Sequence, residues 1–256
     1  MDTIVKRSFD MDFIYFDLIF VCIWMAYLIR KQYSKEFLIG IFGFLVNFIA
    51  DFIIWYSIQG DRVIQTLPIN DVLFFLYFGF TYGMIEFSYV FVMFNEKTDK
   101  IRWTAMLYGG WILIGFLSQW VSLDDRTIII WREMAGDRTV QIIMMAVGFL
   151  LLLGFASNDK IEYKTVIYVF LVGFLVHFAM EISLFLPGIR NGSFDILFFN
   201  SFIEFNTGAP VLFLISYYWR KNNSHIESPV KDKNESTVEN QVENPAEKKN
   251  EVKTEL

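Results

Sequence analysis

The sequence predicts an all-α fold, a polytopic membrane protein built as a seven-transmembrane-helix bundle. Three observations predict it. Hydrophobic residues make up 55% of the 256 residues and mean hydropathy is +0.41, well above a soluble domain of this length. Seven apolar stretches approach the roughly 20 residues a helix needs to cross the hydrocarbon core. Short polar loops separate them, and the chain turns polar after the last one.

The first stretch, 12–29, opens among Asp10, Asp12 and Asp17 and has no small-residue cleavage site, so it reads as a retained anchor. The second, 37–58, contains GFLVNFIAD at 43–51. The third, 71–94, opens with DVLFFLYF and carries Glu86. The fourth and fifth are 103–121 and 139–157; in the loop between them, Arg132-Glu133 and Asp137-Arg138 read as a solvated surface. The sixth, 163–186, contains GFLVHFAME at 173–181, and the seventh, 194–218, opens with DILFFNSF and continues to Glu204.

The order acid-ended phrase, turn, then Asp plus an aromatic run occurs twice. This suggests a 3+1+3 internal duplication in which spans 1–3 and 5–7 are parallel repeats and span 4 restores the orientation. Domain organisation follows from composition: residues 1–221 form the membrane domain, and 222–256, rich in Glu, Lys, Asn and Ser, read as a disordered charged tail. Lys and Arg number 10 beside the loops at 30–36, 95–102, 158–164 and after the last span. They number 7 on the other side, which predicts an outside N-terminus and a cytoplasmic C-terminus.

Several chemistries lack their residues. The single cysteine, Cys22, excludes a disulfide framework or thiolate metal site. Only His177 and His225 exist, which argues against a histidine metal centre. Residues 194–219 hold no lysine for a retinal Schiff base. DDxxD, DxDD, P-loop, GxSxG and HExxH patterns are absent, and Asp124-Asp125 fits none of them. No cofactor, metal or nucleic-acid partner is expected; the net charge of −6 comes partly from the tail.

Four carboxylates lie inside apolar stretches: Asp51, Glu86, Glu181 and Glu204. An ionisable group at mid-bilayer costs several kcal/mol, so such residues face a bundle interior and mark a functional site. Asn47–Asp51, His177–Glu181 and Asn200–Glu204 are each four apart and share one helix side. Desolvation disfavours the charged form, so a buried carboxyl group in general is a Brønsted-acid candidate. Aromatic residues are 19% of the chain, and their ring faces attract cations.

These residues resemble the integral-membrane terpene cyclases of meroterpenoid and indole-diterpene pathways, small seven-helix proteins without a metal requirement. That family has an Asn followed four residues later by an acid in span two, matched by Asn47 and Asp51. It has an acid followed four residues later by Gly in span seven, matched by Glu204 and Gly208. The resemblance covers about residues 15–220. It implies that Asp51 is the proton donor, Glu204 its catalytic partner, and a membrane-dissolved polyprenyl chain the substrate. Glu86, His177, Glu181, Asn47 and Asn200 are candidate substrate-binding residues of the same pocket. The family carries Glu preceded by Trp in span two and Asp in span seven; here Ala50 precedes Asp51 and the acids are exchanged in length. A fainter resemblance is to sterol-isomerase-like membrane proteins, which also pair His with an acid four residues on.

Three readings follow. An intramembrane cyclase predicts Asp51 and Glu204 converging on a pocket open to lipid. A parallel-repeat small-solute or proton-coupled transporter predicts an axial polar path, with Pro187-Gly188 and Pro210 as hinges. A structural or receptor-like bundle predicts every acid paired within it.

Overall fold

A computed structural model describes residues 4–133 and 138–224. Its body is all-α. The long helices are α1 Met11–Arg30, α2 Ser34–Gln59, α3 Asp71–Met93, α4 Lys100–Trp120, α5 Thr139–Ser157, α6 Tyr163–Phe185 and α7 Phe194–Asn222. Six of them, all but α4, are long and apolar enough to cross a membrane. The chain divides into two units, Met1–Ser216 and Tyr217–Leu256; of the second, the described part is the end of the last helix. The expected disordered tail lies outside the described residues from 225 onward.

Local chemistry sets the helix ends. The Asn70 side chain accepts hydrogen bonds from the backbone N–H groups of Val72 and Leu73, capping α3, and Asp99 accepts from Arg102 N–H to cap α4. Gly60, at φ 73°, takes the left-handed conformation that stops α2. Pro210 cannot donate to the helix ladder. Accordingly α7 breaks after Ile203 into a 3₁₀ turn at Phe205–Thr207 and restarts at Ala209.

Helix α3 is the hub, with 83% of its apolar window buried, against 22% for α2 and 11% for α5. It can be central because Gly43 of α2 meets Gly83 of α3 backbone to backbone; a Cβ on either would run into the other's carbonyl oxygen. On α4, Trp103, Leu107, Trp111, Ile114 and Ser118 form one buried face at helical spacing.

The sequence reading missed a three-stranded antiparallel sheet. Strands β1 Ile4–Asp10, β2 Arg62–Thr66 and β3 Thr127–Glu133 assemble in the order β1-β3-β2. A backbone bridge from Arg7 to Arg190 ties the α6–α7 connection to the same sheet. The segments before α1, after α2, after α4 and after α6 therefore gather at one end of the bundle. Alternation of the strands turns Val5, Arg7 and Phe9, Ile128 and Ile130, and Arg62 inward. The sheet is a lid whose inner face carries arginines.

Candidate functional site

Under the lid lies a buried ionic network. Asp51 from α2, Glu86 from α3, His177 and Glu181 from α6, and Asn200 from α7 are all buried. Glu204 of α7 sits where that helix breaks, with 11% of its side chain exposed. Arginines from the lid side reach these acids. Arg62 pairs with Asp51, Arg132 with Glu204, and Arg190 with Glu181. Arg138 lies 4.0 Å from Glu204 and donates a hydrogen bond to Asn200 Oδ1. Arg132 and Arg138 are thus part of the interior rather than a solvated surface, because Glu204 compensates the charge they bury. Asp137 and the side chain of Glu133 lie outside the described residues.

His177 is the centre of the network. Its Nε2 is 2.9 Å from Glu204 Oε2 and 3.3 Å from Glu181 Oε1, and its Nδ1 is 3.8 Å from Glu86 Oε1. Asn200 Nδ2 donates to Glu181 Oε1 at 2.9 Å and lies 3.1 Å from His177 Nε2. Of the pairs expected from four-residue spacing, His177–Glu181 meets directly, whereas Asn200 serves the acid of α6 instead of Glu204. Asn47 is half-buried, and Asp51 is held by Arg62 instead. Asp51 lies in the first turn of the π-helical stretch of α2, Ile49–Gln59, and is its one buried residue, turned to the arginine of β2.

Aromatic rings interleave the guanidinium groups. The Phe78 ring lies 5.8 Å from Arg7 and 5.1 Å from Arg62; the Trp55 ring lies 5.4 Å from Arg62 and 4.7 Å from Arg132. Arg62 and Arg132 are direct cross-strand partners, a like-charge arrangement that is costly alone. Asp51 and Glu204 beneath them relieve it. Burial works against the charge on Arg132, but Glu204 and Asp51 outweigh it and raise its pKa, so one guanidinium couples both acids. Burial lowers the pKa of Arg7, and lowers that of Arg62 to about 10. Guanidinium keeps its proton under any ordinary condition, so Arg7 and Arg62 remain cations in the network.

The side chains of His177, Glu181 and Glu204 offer donor atoms within 4.8 Å of one another, a spacing compatible with a metal ion. Arg132 and Arg190 already hold the two carboxylates, so a cation would have to displace them.

Sequence reasoning missed Arg7, Arg62, Arg132, Arg138 and Arg190, reading them as loop cations. It also missed Asp17 of α1, fully buried, which accepts a 2.9 Å hydrogen bond from Tyr77 Oη. The position of Asp17, six residues inside the first helix, was the available signal. No protein-family model, curated protein or solved structure matches the chain.

Proposed function

We propose that this protein is an intramembrane enzyme that isomerises or cyclises a hydrophobic, polyprenyl-type substrate by protonation from a buried carboxyl group. The observation that carries the reading is the Glu86–His177–Glu204 chain. Among the described residues Glu86 has no arginine partner, and its buried Oε1 accepts no hydrogen bond, with His177 Nδ1 3.8 Å away. His177 lies closer to Glu204, at 2.9 Å, and a buried carboxyl group that no arginine holds is tolerated as the neutral acid, the form that can give a proton. Asp51 and Glu204 are held by arginine, so the donor role implied by the resemblance passes from Asp51 to Glu86, and those two acids anchor the network. Proton transfer from Glu86 to an epoxide oxygen or olefin carbon leaves a carboxylate and a carbocation. A neighbouring π bond closes on that cation, and the final C–H proton passes to His177 and back to Glu86, so the product is an isomer of the substrate. The rings of Phe87 and Phe205, which follow Glu86 and Glu204 in sequence and lie 5.2 Å apart, suit a cationic intermediate.

A one-ended network favours this over the carrier. The half of the bundle away from the lid is filled by Trp24, Leu28, Tyr89, Leu107, Val169 and Leu212, all buried. The finer architecture belongs to the same proposal. We infer that α4 is a seventh span, because β3 follows it and returns to the lid. Two ion pairs support the proposed duplication, Asp51 with Arg62 after α2 and Glu181 with Arg190 after α6.

The test incubates membranes carrying the protein with a polyprenyl epoxide and follows formation of an isomer of equal mass. Glu86→Gln should lower the rate at least about 100-fold, the usual contribution of a general acid, at unchanged protein abundance. An undiminished rate in that variant would overturn the assignment.

A further inference from the structure

Three donor groups around the Phe78 ring have fewer or weaker acceptors than they can use among the described residues. Arg7 is 7% exposed, yet among the described residues its guanidinium meets Met180 Sδ at 3.9 Å and, also at 3.9 Å, a Glu181 carboxylate already taken by Arg190 and Asn200. Arg62 gives its Nη2 to Asp51, while its buried Nε–H has no partner. Tyr82 is 5% exposed, its ring 4.5 Å from that of Phe78, and its hydroxyl makes no hydrogen bond among the described residues. Of the other arginines of the network, Arg190 is paired with Glu181, and Arg132 and Arg138 share Glu204. A buried guanidinium without an oxygen acceptor is expensive, and fixed groups left this way mark the place of a missing partner. All three groups present N–H or O–H, and two are cationic, so the missing partner is an anion that accepts several hydrogen bonds.

We propose that Arg7, Arg62 and Tyr82 form an oxyanion subsite around Phe78 that holds the carboxylate or phosphate head of an amphiphilic ligand. Helix geometry places Glu86 on the order of 10 Å further along α3 from Phe78, so a chain anchored here passes the proposed donor. The subsite thereby deepens the enzyme reading by giving the hydrophobic substrate an anionic head. Its binding is measured without turnover, so the subsite and the reaction can fail separately.

Thermal unfolding of the whole protein in phosphatidylcholine nanodiscs supplies the test. Dodecyl phosphate and dodecanoate should raise the Tm, whereas dodecanol should leave it unchanged. Arg7→Met should lose the anion-dependent shift, and its ligand-free Tm should exceed that of the wild type, since an unpaired buried charge is gone. Tyr82→Phe should weaken the shift without changing the ligand-free Tm. If phosphatidic acid in the disc reproduces the shift, the head comes from membrane lipid; if only single-chain anions do, it comes from a free amphiphile. Equal shifts with dodecanol and dodecyl phosphate would overturn the subsite on the wild type alone. So would an anion shift that survives Arg7→Met.

Discussion

At the scale of single residues, pairing decides the state of each buried acid. Removing one partner of a buried ion pair leaves an isolated charge and typically costs 3–5 kcal/mol, about what a pair resists, whereas removing both is far milder. Arg62→Met should therefore lower the Tm strongly, and adding Asp51→Leu should restore much of the loss. Thermal unfolding of the two singles and the double measures this. Additive losses would mean the two side chains do not form one unit. The sequence displays one half of these pairs and conceals the other. An acid in an apolar stretch stands out because hydrocarbon penalises it. An arginine in a polar loop looks ordinary, and only tertiary structure shows that Arg62, Arg132 and Arg190 turn inward. Glu86 was visible by the same rule as Asp51; its lack of an arginine was not.

Among elements, the sheet and the π-helical turns are what periodicity underdetermined. Six of the helices could be read from length and apolarity, because a membrane span needs both, and α4 meets the length alone. The strands are 5–7 residues long and sit between stronger signals. Their marks were nonetheless present: Val5, Arg7 and Phe9 alternate, and Thr127–Trp131 is a run of β-branched residues closed by an aromatic. The π winding of α2 has no comparable mark, and neither has the pairing of Asp51 with Arg62 across the turn. The α2–α3 crossing gives a prediction at this scale. Gly43→Ala should markedly destabilise the bundle, since the new Cβ meets the Gly83 carbonyl and the centre of α3 must move. Gly154→Ala on α5 meets nothing and should be neutral or stabilising by up to about 1 kcal/mol through helix propensity. Thermal unfolding in detergent compares them, and equal behaviour would show that the close crossing does not limit stability.

For the whole molecule, the inward arginines change the meaning of the charge count along the chain. Seven cations stood against ten when every lid-side Lys and Arg was taken as a loop residue. Five of those seven, Arg7, Arg62, Arg132, Arg138 and Arg190, belong to the interior network, leaving Lys6 and Arg126 for the surface on that side. The residues beside the 30–36, 95–102 and 158–164 loops keep their cations. Counted over surface cations alone, the expectation of an outside lid would rest on ten against two, and over all loop cations on ten against seven. That expectation makes the crossing of α4 testable, because Lys97 precedes that helix and Leu123 follows it, and both are exposed. In intact cells, a membrane-impermeant maleimide should label Leu123→Cys and spare Lys97→Cys, with both labelled after permeabilisation; Cys22 is replaced by Ala in each background. Labelling of both in intact cells would mean that α4 does not cross. The reverse pattern would put the lid, and with it the entrance to the ionic network, on the cytoplasmic side, where the anionic amphiphiles proposed to enter it would have to be found.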